Sequence, residues 1–191
     1  MKKLLILLLI LFVSCEAPSS GVSETDTNTF EKNVQTLKDG FIAGYEEMDF
    51  DKVISIFADS IKYYPSGVDS KMVEGIDQMK DNISFYMANF ENASFTEGSG
   101  LPGTDVGFWG GNFYPTDNMM SGPNNIRMYG SWNVTNSNTG KTVNFKQYCV
   151  WNFNEDGKVH SVTEYLDLGG LLATFNAVSY THLTLPTKAS V

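Results

Sequence analysis

The feature that most restricts the fold is a pair of long alternating segments late in the chain. Across residues 125–135, Ile126, Met128, Gly130, Trp132 and Val134 alternate with Arg127, Tyr129, Ser131, Asn133 and Thr135; across 142–153, Phe145, Gln147, Cys149, Trp151 and Phe153 share one parity. A period of two belongs to a strand with one buried face. The stretch 136–140, Asn-Ser-Asn-Thr-Gly, is made of turn formers, so the two segments read as an antiparallel hairpin. Asn154-Glu155-Asp156-Gly157 supplies a second turn, into a strand expected over 158–168.

Earlier in the chain the period is helical. Phe30, Val34, Leu37, Phe41, Ile42, Tyr45 and Met48 predict an amphipathic helix over 29–48, with Asn28 or Thr29 as its N-cap. Asp49 and Asp51 can cap a short second helix carrying Val53, Ile54, Ile56 and Phe57, and a strand at 61–64 closes on Pro65-Ser66-Gly67. A third helix is expected over 75–90, with Ile76, Met79, Ile83, Met87 and Phe90 on one face; everything beyond it reads as strand. Three helices followed by a meander of antiparallel strands predict an α+β fold with the helices covering one sheet face.

The chain opens with Met-Lys-Lys and ten apolar residues from Leu4 to Val13, then Ser14 and Cys15. This is the n-region, h-region and small-residue boundary of an export signal over 1–14, and the run is too short to span a bilayer, which takes about 20 residues. Phe12-Val13-Ser14-Cys15 resembles the lipobox of bacterial lipoproteins. The polar stretch that follows, up to residue 29, has almost nothing to bury and reads as a flexible linker. Cys149, the other cysteine, sits in an apolar strand pattern and is expected as a small buried hydrophobe, which leaves a lipid as the simplest use for Cys15. Dual acylation would give stable membrane anchoring without a spanning helix.

Loss of the leader leaves 11 basic residues against 22 acids, a net charge of −11. With Arg127 the single arginine and no basic stripe, nucleic acid is excluded as a partner class. The letters of Gly98 to Gly103 match a dinucleotide fingerprint, but Pro102 and the glycines after it argue against the helix such a site needs. His-Glu-x-x-His, paired Cys-x-x-Cys and P-loop patterns are missing, so no metal or nucleotide cofactor is expected. The last residues, 178–191, have no partner in the preceding pattern and read as a non-native tail. The expected domain therefore runs from 30 to 177.

Within that domain, residues 50–59, Tyr63-Tyr64-Pro65 and Val73-Glu74-Gly75-Ile76 resemble the N-terminal half of the nuclear transport factor 2-like (NTF2-like) superfamily, in particular its SnoaL-like branch. Thr139-Gly140-Lys141, residues 154–159 and Glu164-Tyr165-Leu166-Asp167 resemble its C-terminal half. The resemblance implies a cone-shaped curved sheet wrapped around the helices, with an apolar pocket inside the cone. It also implies a range of activities, from isomerases, dehydratases, polyketide cyclases and epoxide hydrolases to members with none, so it leaves function open. The tyrosine and aspartate of the ketosteroid isomerase members fall on Phe41 and on Tyr64 or Pro65. The histidine pair of the dehydratase members has no counterpart, since His160 is the only histidine outside the tail.

Candidate site residues follow from strand parity. Tyr63 shares the parity of Ile61; Trp132, Gln147 and Trp151 lie on the apolar faces of the hairpin; Tyr165 and Asp167 share the parity of Val159, placed inward. Tyr63, Trp132, Gln147, Trp151 and Tyr165 form the expected ligand-binding set. Gln147, if buried, needs a partner in the protein or on a ligand. Asp167 either faces an apolar pocket, where burial would raise its pKa and suit it to acid/base work, or sits at the strand end in water. Asp105 is the other candidate carboxylate, in a glycine- and aromatic-rich segment, 98–123, expected to hold a short strand near 105–109 and a flap over the cone. Three functions compete: a module that binds a small apolar or amphipathic molecule, an acid/base enzyme using Asp167 or Asp105, and a structural or homodimerising module with a filled core. An inward carboxylate in a cavity selects the second, a cavity without one the first, and no cavity the third.

The Cys15→Ser variant is expected to lose membrane association or processing when fractions are probed for the protein. Unchanged partition with membranes would contradict lipid anchoring.

Overall fold

The computed structural model describes residues 22–99, 106–110 and 122–176. The leader, Cys15 and the tail at 178–191 lie outside these, as do Asp105 and most of the expected flap.

The first helix, α1 (Glu24–Thr36), starts earlier than its apolar pattern does. Ser23, not Asn28 or Thr29, is the N-cap, and its side chain accepts from the Asp26 amide at 3.0 Å. Glu24 and Asp26 in the first turn complement the positive end of the helix, so residues 24–29 of the expected linker are helical although all but Thr29 are exposed. α1 runs on through a π-helical turn, Leu37–Ile42, into α2 (Ala43–Glu46). Against this rod lies α3 (Phe50–Ile54), capped by Asp49. Close approach depends on two glycines: a Cβ on Gly40 would stand 2.1 Å from Ile56 Cγ2, and one on Gly44 2.5 Å from Val53 Cγ2.

The strands are β1 (Phe57–Tyr64), β2 (Val73–Glu74), β3 (Phe90–Glu97), β4 (Phe108–Gly110), β5 (Asn125–Asn136), β6 (Thr142–Phe153) and β7 (Val159–Leu166), with α4 (Ile76–Asn89) between β2 and β3. They form one sheet in the order β2-β1-β7-β6-β5-β3, with β4 also paired to β5. Among the described residues only β1 and β7 run parallel; the other pairs are antiparallel. The β5–β6 hairpin is unbroken from Asn125↔Asn152 to Thr135↔Thr142, as the alternation predicts. Elsewhere the register slips: in β1 against β7, in β3 near Asn92, whose φ is 53°, and in β7 between Val159 and Ser161. Bulges bend and twist the strands that carry them, and they give this sheet its curvature. The inner face, the helical rod and α4 enclose a core that includes Leu37, Ile61, Ile83, Met128 and Val159.

The described residues continue beyond the last of these strands. After Leu166 the chain turns into α5 (Leu168–Leu172) and a 3-10 turn, Ala173–Asn176. Asp167 starts α5 as its N-cap, accepting from the Gly170 amide at 2.8 Å, and two glycines follow where a strand would need side chains to pack. This end docks through a buried polar pair. Asn136 Nδ2 donates to Thr174 Oγ1 at 3.0 Å, while Asn136 Oδ1 accepts the amides of Asn138 and Thr139 in the β5–β6 turn. Both side chains are fully buried, and the shared bonds offset their desolvation. Among the described residues no helix is long and apolar enough to cross a membrane.

Candidate functional site

A cavity of about 90 Å³ lies inside the cone, between the helices and the inner sheet face. One water needs about 10–15 Å³ on such a measure, so there is room for several waters or one small organic molecule. A core filled solid by its own side chains would not leave this space. The walls are mostly aromatic and aliphatic: Phe41 and Tyr45 from the rod, Met79, Ile83 and Tyr86 from α4, Trp132 from β5, and Phe145, Cys149 and Trp151 from β6. Among the described residues no lysine, arginine or histidine lines it, and no His/Cys/Asp/Glu cluster is suited to a metal ion.

The packing of the walls follows from the helical rod. Phe41 and Tyr45, four residues apart across the π-helical turn, meet edge to face at 5.1 Å. Phe41 reaches the Trp151 ring at 4.7 Å, and Tyr45 the Trp132 ring at 6.0 Å. These rings lock one side of the cavity through packing alone.

The other side is polar and held by one chain of hydrogen bonds. Trp132 Nε1–H donates to Gln147 Oε1 at 2.8 Å, Gln147 Nε2–H donates to Glu164 Oε1 at 2.5 Å, and the Tyr63 hydroxyl donates to Glu164 Oε2 at 2.5 Å. An indole can only donate, so Trp132 fixes which end of the Gln147 amide faces Glu164. Each carboxyl oxygen thus receives one donor, the arrangement that suits a carboxylate. Burial acts the other way and dominates: it pushes the Glu164 carboxyl above the usual range, while the bonds from Tyr63 and Gln147 pull it partly back. The Tyr63 phenol is raised well above its ordinary value, first by burial and then by the facing Glu164 charge, so it stays protonated as a donor. Burial and Glu164 raise Tyr45 and Tyr86 in the same way, and hold the Cys149 thiol protonated.

Of the residues expected from parity, Tyr63, Trp132, Gln147 and Trp151 line the cavity. Gln147 has its partners within the protein. Tyr165 faces out, 58% exposed, its ring 5.8 Å from Tyr148. Asp167 is exposed and serves as the α5 cap. The cause is the bulge in β7. Asn152 pairs with Ser161 and Phe153 with Val159, so His160 is the extra residue and every side chain after it changes face. Val162, Glu164 and Leu166 turn inward in place of Tyr165 and Asp167. The inward carboxylate is therefore Glu164, which parity counted from Val159 assigns to the wrong face. A signal was present: Val159 and Val162, three apart, cannot both be buried on a regular strand.

The fold has counterparts among solved structures. An NTF2-like protein of unknown function from Burkholderia pseudomallei K96243 shares 16% identity at a TM-score of 0.52, covering 76% of this chain and 98% of that one. A protein from Jannaschia sp. CCS1, provisionally assigned as a SnoaL-like polyketide cyclase, shares 15% at a TM-score of 0.56, covering 83% and 98%. The BvnE pinacolase from Penicillium brevicompactum shares 14% at a TM-score of 0.57, covering 82% and 94%. No protein-family model and no curated protein sequence matches this chain. At these identities the likeness establishes an NTF2-like fold and leaves the activity open.

Because folding raises the affinity of Glu164 for its proton, its contribution to stability is present below the unfolded pKa, about 4.3, and is lost as pH rises through the folded value. Urea midpoints are expected to fall over that window more steeply in the parent than in Glu164→Gln. Equal slopes would contradict the burial of this carboxyl.

Proposed function

We propose that the domain binds a small, largely apolar molecule in the cone and exchanges a proton with it through Glu164. The observation that carries this reading is an inward carboxyl with a raised pKa, held by Tyr63 and Gln147 in an otherwise apolar cavity. A carboxyl whose pKa is raised by burial can serve as either proton acceptor or donor. The SnoaL-like cyclase and pinacolase among the similar folds support a chemistry of this kind.

The step consistent with these groups is proton abstraction next to a carbonyl. A C–H bond of the ligand breaks, its proton goes to a Glu164 oxygen, and the electron pair moves through carbon to the carbonyl oxygen. Return of the proton from Glu164 to carbon closes the cycle, so no oxidant or cofactor is needed. Tyr63 and Gln147 keep the carboxyl in one orientation, and Trp132 keeps Gln147 in place. Cys149, opposite Glu164 on β6, is small enough to leave the carboxyl room for a ligand.

We also propose that the domain works outside the cytoplasm, tethered through Cys15. The export-like leader and lipobox-like 12–15 support that placement.

Cyclohexanone incubated with the protein in D2O should exchange the hydrogens beside its carbonyl faster than in buffer, as read by proton NMR. Glu164→Gln should lower the enzymatic rate by roughly 10²–10⁴-fold, the usual range for a lost acid/base group. Exchange at the buffer rate, or a rate untouched by the substitution, would leave a binding module without proton transfer.

A further inference from the structure

Two tryptophans project from neighbouring strands into the same cavity, and they differ in one respect. Trp132 Nε1–H is spent on Gln147. Trp151 is 2% exposed, and its Nε1–H has no hydrogen-bond partner among the described residues. Buried indole N–H groups usually find an acceptor, and one left unpaired costs free energy. The ring is fixed: Phe41 meets it edge to face at 4.7 Å, and Phe57 lies 6.4 Å away.

Its placement relates it to Glu164. Cys149 pairs with Glu164 and Trp151 with Val162, so Trp151 and Glu164 occupy diagonal positions on the inner face of β6 and β7. Diagonal neighbours on adjacent strands stand about 7–8 Å apart, the span of a small ring with one substituent. Both residues line the one cavity. The cavity wall therefore carries, at one position, an indole whose neutral donor is unspent and, at the other, a carboxyl.

We infer that Trp151 determines specificity by donating its Nε1–H to an acceptor oxygen of the ligand, which selects neutral carbonyl- or hydroxyl-bearing molecules over hydrocarbons of the same shape. This rests on the reading that the cavity holds a small molecule, and it adds the group that the ligand must carry. A site that satisfies a buried donor only with the right ligand penalises one that lacks the acceptor, because binding then leaves the N–H unpaired in a dry cavity.

Cyclohexanone and methylenecyclohexane, matched in ring and differing in the acceptor, provide the test on the full chain labelled with ¹⁵N at its three tryptophans. Trp151→Phe assigns the indole signal. Cyclohexanone should move the Trp151 indole proton downfield to saturation and bind about 2- to 10-fold more tightly than the alkene, as expected for one neutral hydrogen bond. In Trp151→Phe that preference should vanish; if this variant does not fold, through-space contacts to the Phe41 ring assign the signal, and the indole shift and the preference in the parent still decide. Equal affinities with an unmoved Trp151 signal would overturn the inference and leave the cavity reading standing. Saturation by neither compound would overturn both.

Discussion

One extra residue in the last strand, His160, governs how this cavity is furnished. Without the slip between Val159 and Ser161, Glu164 would face solvent and Tyr165 would face the core. With it, the carboxyl meets Tyr63 from β1 and Gln147 from β6, and Trp132 on β5 completes a chain across four adjacent strands. The same slip bends the sheet, so the feature that turns the carboxyl inward also helps shape the space it enters.

The carboxyl lives between two opposed effects. Removing it from water favours the protonated form, and two donors favour the charged one. Among the described residues no basic side chain lines the cavity to settle the balance by pairing. A buried charge without a counter-charge is costly to stability, and native chains keep such groups mainly where chemistry or binding uses them. The surrounding rings make the arrangement rigid: Phe41, Tyr45, Trp132 and Trp151 pack edge to face, so a ligand meets walls already in place.

Most of the architecture was legible in the sequence because it rests on period. The unbroken alternation of β5 and β6 gave their pairing, their inward faces and the cavity positions of Trp132, Gln147 and Trp151. The helical pattern gave the rod and α4, but not where α1 begins, since Ser23 and the acids after it extend the helix beyond its apolar face. Asp167 shows the limit more sharply. A bulge separates it from Val159 and reverses its parity, and its side chain is spent on capping a short helix that no strand pattern foretells. Parity is a long-range inference, and one inserted residue reverses it for everything downstream.

The account turns on Glu164 being a cavity carboxyl whose proton is held more tightly than that of an exposed one. Carboxyl ¹³C shifts of a glutamate-labelled chain, followed through a pH titration and assigned with Glu164→Gln, read this directly. The prediction is a midpoint for Glu164 clearly above the ordinary glutamate value of about 4.3. A midpoint at or below that value would show a carboxyl that is solvated or dominated by its donors, and would contradict the assignment of proton transfer to this residue.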